Sequence, residues 1–556
     1  MYLINLNKLE KDQIIILNQI YLSEKKDYAN FLDSIIAKQD RLLGFSPVFS
    51  RDNEVANTYY FICIFKLIFE LKKKNQFIKI LTDKYDLYLF LKKNFYKEKK
   101  NINIKYTGSL NHFILYNIKF VIKIKKLFFL IYFTIIQLAS KIFYKKEKYD
   151  FSKCVLVDTT LLKSSFRKNI FVDRFYGDLY QNYKDKIIFT DENLLFFHTF
   201  KNLKILKKQK IKFLFKFQVL KFKDYLFSLK HVCFPLYNNL DQINNYKGID
   251  LKTPLQIDLN NAFCNLNFFF GILNYKFFQN LKLLNINFKL IINWNENQPA
   301  DKGFVLGVKT FHPKSKLIGY CSAFVNFNYF FNRQPLKSEY IKKYIPNTYY
   351  LITEKYSELL KQFCDRLNIH EGPLLRFDIQ NTPIKYTNAV KNILITLPIE
   401  NTEIKNILRF ASNIDYNNYN ITIKFHPNFS KSEIIKYKKY FFLNTKLSNE
   451  TFEKLLKIND IIISSSSSTV IESILKGKYV ISPINSKYLV DSPAANFFSS
   501  DLFSTAYSPK EVQFIISKIP RNLTNNLDKI IIIRNILTKD QRKKTLQMLQ
   551  DVIEDT

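Results

Sequence analysis

"DIIISSSSSTVIESILKGKYVISP", residues 460–483, carries an apolar run into five consecutive serines and then straight into helical spacing. Ile461 to Ile463 read as a parallel strand, which needs apolar residues on both faces because helices cover it on both sides. From about Thr469, the residues Val470, Ile471, Ile474 and Leu475 form one apolar helical face, and Gly477 suits its C-cap. The serines therefore occupy a strand-to-helix turn at the C-terminal edge of a sheet, where α/β folds place ligands. Backbone N–H groups, the positive end of a helix dipole and several hydroxyls converge at such a turn, which suits a phosphate. Serine also caps helices with no ligand present. Taken alone, the turn leaves both readings open.

The same alternation extends outward. "NILITLPI" (392–399) and "ITIKFHP" (421–427) precede it as short apolar runs, with helical segments between. Further upstream stand "FKLIINW" (288–294), "SKLIGY" (315–320) and "TYYLIT" (348–353), and earlier "FIKILTD", "INIKYTG" and "KCVLVDTT". Buried strands alternating with helices predict an α/β protein with parallel sheets. The stretch from about Ile369 to Val390 contains Gly372, Pro373 and Pro383 and has no clear period, so it reads as a boundary. Expected are a domain over 1–380, a second over 388–525 and a charged helical tail over 526–556. Two Rossmann-like halves facing a central cleft are the economical arrangement.

Bulk properties narrow the function. At 47% hydrophobic and 16% aromatic residues, the 556-residue chain is not generally disordered. Its formal charge of +37 favours anionic partners, although abundant Lys, Ile, Asn, Phe and Tyr with little Gly, Pro, Met or Trp also fit a drift toward AT-rich codons. No basic helix or aromatic-basic RNA motif stands out, so nucleic acid is not an expected partner. The six cysteines form no CxxC or Cys/His cluster, which fits a reduced cytosolic chain better than a disulfide or zinc scaffold. "MYLINLNKLEKDQ" has no apolar core region or cleavage site, so no export signal is expected. Residues 113–146 pose a membrane question. Their uncharged run, Leu127 to Ser140, is shorter than the roughly 20 residues a spanning helix needs. A buried helix and a helix lying in the inner-leaflet interface, its flanking lysines at the headgroups, both fit.

His426 and Pro427 directly follow the strand Ile421–Phe425, so the imidazole also stands at a C-terminal strand edge. A histidine there can donate to a phosphate and offset charge on a departing nucleotide. Pro427 ends the strand and fixes the turn. The second His-Pro, His312–Pro313, precedes its strand and reads as a surface turn. His-Pro after one strand, with Ser-Ser-Thr-x-x-Glu after a later one, is a more specific pair than either alone.

On His426–Pro427 and on Ser467, Ser468 and Thr469, the C-terminal half resembles the nucleotide-binding domain of GT-B glycosyltransferases. It is similar in particular to bacterial sialyl- and polysialyltransferases and to related capsule and Kdo transferases. The resemblance implies that His426 and Pro427 meet the donor phosphate, that the Ser467–Thr469 turn binds phosphate or ribose, and that Glu472 lies near the ribose. Upstream, "IINWNENQPADKGFVLGVKTFHPKSKLIGY" and "GPLLRF" resemble the bacterial surface carbohydrate (O-antigen or capsule) biosynthesis family, with "GFSPVFSRDNEVAN" and "DRFYGDLY" as further points of likeness. That family shows an aromatic-x-E-N-Q-P motif after a strand, usually with an aromatic next, where this chain has Ala300.

The resemblance implies an acceptor-side N-terminal domain and a nucleotide-sugar-binding C-terminal one. It also implies a metal-independent glycosyltransferase that needs no cofactor and works in the cytoplasm, at the inner face of the membrane. The donor would be a CMP-activated acidic sugar of the nonulosonic type, and the acceptor a glycan, free or lipid-linked. Glu296, after the strand ending at Trp294, is the candidate base, because a sugar hydroxyl needs a carboxylate to take its proton as the new bond forms. Substrate positioning and structural bonding of the loop amides are its other readings, and Asp178 in "FYGDL" is a rival base. A D/E-D/E-G triplet of the CMP-sialic acid enzymes is absent. Arg376 can meet a donor carboxylate or phosphate bidentately, or form a hinge salt bridge. Arg51 and Asp178 are candidates for the acceptor side, although a solvated arginine also fits Arg51. Asp491 follows a strand-like run and can meet the nucleotide or cap the next helix. No DxD pair stands at a strand end, so no metal-bound donor is indicated. A UDP-sugar or CDP-polyol transferase and a non-catalytic membrane-associated assembly factor are the alternatives.

Overall fold

A computed structural model describes residues 2–51, 55–109, 112–143, 151, 154–161, 165–167, 170–191, 199–237, 243–377, 390–441, 445–498, 502–519 and 527–553. The chain divides into two compact units. The first comprises Met1–Cys321, Phe331–Pro373 and Lys544–Thr556, the second Ser322–Phe330 and Leu374–Lys543.

The first unit opens with a parallel three-stranded sheet, β1 (Tyr2–Asn5), β2 (Ile78–Thr82) and β3 (Ile102–Tyr106). A 32-residue helix, α1 (His112–Phe143), follows. The main sheet has six parallel strands: β4 (Val155–Thr159), β5 (Ile187–Asp191), β6 (Leu290–Trp294), β7 (Lys316–Cys321), β8 (Thr348–Leu351) and β9 (Asn368–Glu371). Their order is β5-β4-β6-β7-β8-β9, so the direction of winding reverses between β4 and β6. Every residue of β4, β5 and β6 is buried, which is why each opens on three consecutive apolar residues rather than alternating, with Asp158, Thr159, Thr190, Asp191 and Asn293 as buried polar residues toward their C-terminal ends. Between β5 and β6 lie α2 (Phe222–Cys233), α3 (Lys252–Ala262) and α4 (Leu266–Leu283), and α5 (Pro299–Phe311) follows β6. Helix α5 starts where the sequence demands it, with Pro299 in its first turn and a capping box between Gln298 and Asp301. It crosses α4 with backbones in contact, because a Cβ on Gly303 would collide with the Gly271 carbonyl.

The second unit is a single six-stranded parallel sheet: β10 (Asn392–Thr396), β11 (Asn420–Lys424), β12 (Thr445–Leu447), β13 (Ile461–Ile463), β14 (Tyr479–Pro483) and β15 (Phe503–Ala506). Its order, β12-β11-β10-β13-β14-β15, is 3-2-1-4-5-6 when the strands are counted along the chain, the doubly wound Rossmann order. Helix α6 (Asn401–Ala411) follows β10 and buries Ile404, Ile407, Leu408 and Ala411, while α7 (Thr469–Leu475) follows β13. Helix α7 closes with Gly477 at φ +79°, the Gly477 N–H bonding the Ile474 carbonyl and the Lys478 N–H the Ser473 carbonyl. This is the left-handed stop that glycine serves without strain. The protein is thus an α/β chain with two Rossmann-like parallel sheets.

Several expectations can be set beside the structure. "FIKILTD" and "INIKYTG" are strands, but of the separate three-stranded sheet. The boundary stretch falls largely at 378–389, outside the described residues, and the units divide at 373/374. The tail contains helices Leu527–Thr538 and α8 (Gln541–Ile553), and the division between units falls within α8, at 543/544. The Tyr350 hydroxyl bonds the Gln547 carbonyl, and Lys544 pairs with Glu371 at 3.0 Å, both within the first unit. His312 is buried rather than part of a surface turn, with its Nε2 bonded to the Phe278 carbonyl at 3.0 Å. Two of the six cysteines meet: the Cys233 and Cys264 thiols lie 3.3 Å apart as a hydrogen-bonded pair. Among the described residues, no helix is long and apolar enough to cross a membrane.

Candidate functional site

In the second unit, the winding reverses between β10 and β13, the topological switch point beyond whose C-terminal strand ends α/β sheets place ligands. The serine turn follows β13 directly. Ser464 and Ser465 are buried and finish the strand: the Ser464 N–H bonds the Ile481 carbonyl, and the Ser482 hydroxyl donates to the Ser464 carbonyl. Ser466, Ser467, Ser468 and Thr469 are half-buried. Ser468 occupies the N-cap position with a helical backbone, φ −58° and ψ −20°, and makes no side-chain cap bond. Ser467 Oγ instead accepts from the Thr469 N–H at 3.3 Å, and the Ser468 hydroxyl reaches Glu472 Oε1 at 3.5 Å. Because Ser468 already has helical backbone angles, Ser467 is the serine that caps the first turn, and this leaves the Ser466 and Ser468 hydroxyls as the ones not spent on a backbone cap. Because α7 has seven residues, the hydroxyls and loop amides matter more here than a long helix dipole.

His426 follows β11, on the other side of β10. With strands about 4.8 Å apart, the β11 and β13 loops stand roughly 10 Å from each other across β10. The ring is half-buried, and its Nδ1 accepts from the Asn428 N–H at 3.3 Å. That bond puts the proton of the neutral ring on Nε2, the nitrogen suited to donate outward. Pro427 is exposed. The unit's topology thus gathers His426, Pro427, Ser467, Ser468, Thr469 and Glu472 along one sheet edge.

Arg376 is exposed and lies over the Phe377 ring at 5.3 Å. Asp491 is buried, and the preceding carbonyl, Val490, accepts from the Asn326 side chain at 3.0 Å. Sequence reasoning passed over Glu403. Held by α6, it accepts from the Ser486 N–H at 3.0 Å and from the Ser486 hydroxyl, and so ties down the loop after β14. Burial raises its carboxyl above the usual range, against those bonds. An acidic residue on a helix's apolar side was the available signal.

In the first unit, Glu296 lies just beyond β6, beside the β4/β6 reversal. Its carboxylate accepts from Trp294 Nε1 at 3.1 Å and pairs with Arg333 Nη2 at 2.8 Å, and its side chain is 33% exposed. The loop amides are not its charge. Asp301 Oδ2 takes the Glu296 N–H at 2.9 Å and the Gln298 N–H at 3.0 Å, so the structural role foreseen for Glu296 and Gln298 belongs to Asp301. The Gln-Pro-x-Asp spacing signals that capping residue. Asn297 takes a left-handed φ of +56°, and its amide donates to the Asn332 carbonyl at 2.7 Å. Burial works against the charge on Arg333, but the facing Glu296 carboxylate wins and raises its pKa. Nothing in "FNRQP" announced Arg333.

Arg51 requires correction. It is neither solvated nor on an open surface: its guanidinium is fully buried, 3.0 Å from Glu339 and 2.9 Å from the Gln334 carbonyl. Lys302 reaches the same carboxylate at 2.6 Å, and the Leu336 N–H donates to it at 2.9 Å. Burial alone would raise the Glu339 carboxyl, but Arg51 and Lys302 outweigh it and bring its pKa down to about 2. This buried hub holds the loop beneath Asn297 rather than meeting a solute. Asp178 is exposed at the start of a five-residue helix, after Gly177 at φ +51°. The buried acid nearby is Asp173, which accepts from the Thr159 hydroxyl at 2.6 Å and the Tyr176 N–H at 2.6 Å, and burial raises its pKa. Among the described residues, no group of three or more His, Cys, Asp or Glu is placed to hold a metal ion.

No protein-family model matches the chain, and no curated protein matches it. Solved structures similar to it include the calicheamicin glycosyltransferase CalG4, at 9% identity and a TM-score of 0.38 over 72% of this chain and 94% of that one. A glycosyltransferase from Rickettsia africae ESF-5 gives 12% and 0.40, over 72% and 100%. A UDP-GlcNAc 2-epimerase from Neisseria meningitidis gives 13% and 0.41, over 72% and 99%. Likeness of this degree assigns no activity, so the α/β architecture stands on the chain's own two Rossmann-like sheets.

Proposed function

We propose that the protein is a glycosyltransferase of surface polysaccharide biosynthesis, working at the inner face of the cytoplasmic membrane. In this reading it transfers an acidic, nonulosonic-type sugar from a CMP donor to a hydroxyl of a glycan acceptor. The observation that carries it is the second unit's sheet edge. A histidine whose proton is directed to Nε2 and a hydroxyl-rich turn flank one Rossmann reversal, the arrangement a nucleotide phosphate needs. His426 donates to the leaving phosphate, while Ser467, Ser468 and Thr469 hold phosphate or ribose, with Glu472 beside them. Arg376 serves the donor's carboxylate or phosphate. Glu296 accepts the acceptor's proton as the glycosidic bond forms, oriented by Trp294 and Arg333. The bond to the anomeric carbon breaks with its electron pair going to the CMP oxygen.

The test is a screen of activated donors with purified protein, following release of free nucleotide, beside thermal shifts with CMP and UDP. Stabilisation by CMP and release of CMP from an acidic sugar are expected. Stabilisation by UDP alone would move the donor to a UDP-sugar, and no shift with either nucleotide would overturn the enzymatic reading.

A further inference from the structure

Helix α1 is built inside out. Its buried stripe is Leu130, Phe133, Thr134, Gln137 and Ser140, three of the five polar. Thr134 and Ser140 turn their hydroxyls back onto the carbonyls of Leu130 and Ile136, at 2.9 and 2.8 Å. Phe133 packs the helix onto α4 through the rings of Phe269 and Phe270. The opposite face carries Val121, Ile124, Phe128, Ile131, Tyr132 and Ile135 in the open, with Phe128 67% exposed. A helix of a water-soluble surface turns its apolar stripe inward; this one turns it out.

The neighbouring helix continues the pattern. The Leu220 carbonyl, just before α2, accepts from Lys141 at 2.8 Å and so ties the end of α1 to the start of α2. On α2 and just beyond it, Phe222, Leu226, Phe234 and Leu236 are exposed, Phe234 by 74%. Lys125, Lys221, Lys223 and Lys230 are exposed on the same two segments, and His112–Phe143 contains no Asp or Glu. The lysines expected at headgroups divide into two roles. Lys123 and Lys126 are tied to Asn260 and Asn261 of α3, at 2.7 and 3.1 Å, and with Lys141 anchor the helix to the protein, whereas Lys125 faces solvent and Lys145 and Lys146 lie outside the described residues.

We propose that the exposed faces of α1 and α2 dock in the headgroup–acyl boundary of an anionic phospholipid bilayer, with α1 lying in the plane. The apolar face is wide. Phe128, Phe129, Ile131, Tyr132 and Ile135 spread over about half the helix circumference, broader than the narrow seam of a coiled coil, and they lack the flanking charge pairs that specify a partner helix. Exclusively basic charge beside that face complements anionic headgroups. Leu127 to Ser140 would span about 21 Å as a helix, short of the roughly 30 Å hydrocarbon core, so the helix lies on the membrane rather than through it. This inference rests on the membrane-peripheral part of the reading above and not on the identity of the donor.

The test sediments full-length protein with vesicles of phosphatidylcholine alone, or mixed with phosphatidylglycerol. Binding to the mixed vesicles, weakened by salt, is expected. The triple variant Val121→Gln, Phe128→Gln, Ile135→Gln should weaken it more than about tenfold at unchanged circular dichroism. Should that variant misfold, Lys125→Glu with Lys223→Glu should cause a comparable loss. Failure to bind mixed vesicles, binding indifferent to both variants, or a dimer dissolved by the triple variant would each overturn the proposal. Nucleotide release from a soluble acceptor reaction is read without vesicles. Turnover without vesicle binding overturns docking alone, whereas vesicle binding without turnover supports docking and overturns the transferase.

Discussion

Glu296 is gripped by an indole N–H and a guanidinium, and each grip gives a separate prediction. Glu296→Gln keeps the shape but cannot take a proton, so donor binding should persist while transfer falls by about 100-fold or more. An unchanged transfer rate would remove Glu296 as the base. The same substitution leaves the buried Arg333 without its counter-charge, so it should also lower stability by about 1–3 kcal/mol. Adding Arg333→Met should restore part of that stability without restoring transfer, and urea denaturation of the single and double variants reads this directly. His426→Ala tests the other unit. Nucleotide release should vanish while the variant keeps its fold by circular dichroism, because the half-buried ring lies in the loop after β11 and its Nδ1 bonds the local Asn428 N–H.

The buried hub around Glu339 and the crossing of α4 with α5 set the stage for the Glu296 loop. Glu339→Gln would leave two buried cations facing a neutral amide and should cost about 3–5 kcal/mol. A variant that unfolds at wild-type urea concentrations would disprove the hub's role. At this scale the sequence was most readable. Continuous apolar runs such as Ile461–Ile463 reveal strands buried on both faces, and Gly477 reveals the end of α7, because both patterns arise from local physics. The hub was not readable, since Arg51, Lys302 and Glu339 meet only through tertiary packing. Arg51 lies 288 residues from Glu339, and no periodicity links them. The serine turn was half-readable: its place at a strand-to-helix junction followed from spacing, whereas which of the five serines caps the helix did not.

Across the whole molecule, stability should rise with pH through two windows. The Glu339 pKa lies near 2, below its ordinary value, so its contribution is complete above about 4.5 and is lost as pH falls toward 2. Burial, with Arg51 adding to it, lowers the Lys25 pKa to about 7. Below 7 the folded protein carries that charge at full cost, and from 7 to about 10.5 the unfolded chain holds a proton that the folded chain has lost. Stability therefore climbs over that window. Lys25→Met should flatten the climb, as read by urea midpoints at pH 6 to 9.5, and identical slopes would refute it. The crossing of α4 and α5 bears on the chain's history. Glycine numbers ten in 556 residues, in a composition leaning toward AT-rich codons, whereas glycine codons begin with two guanines. Such drift erodes glycine wherever another residue fits. At Gly271 and Gly303 none does, because each backbone occupies the space a side chain would need. In so glycine-poor a chain, each glycine marks either a left-handed turn, as at Gly477, or a place where two segments touch, as at Gly271 and Gly303.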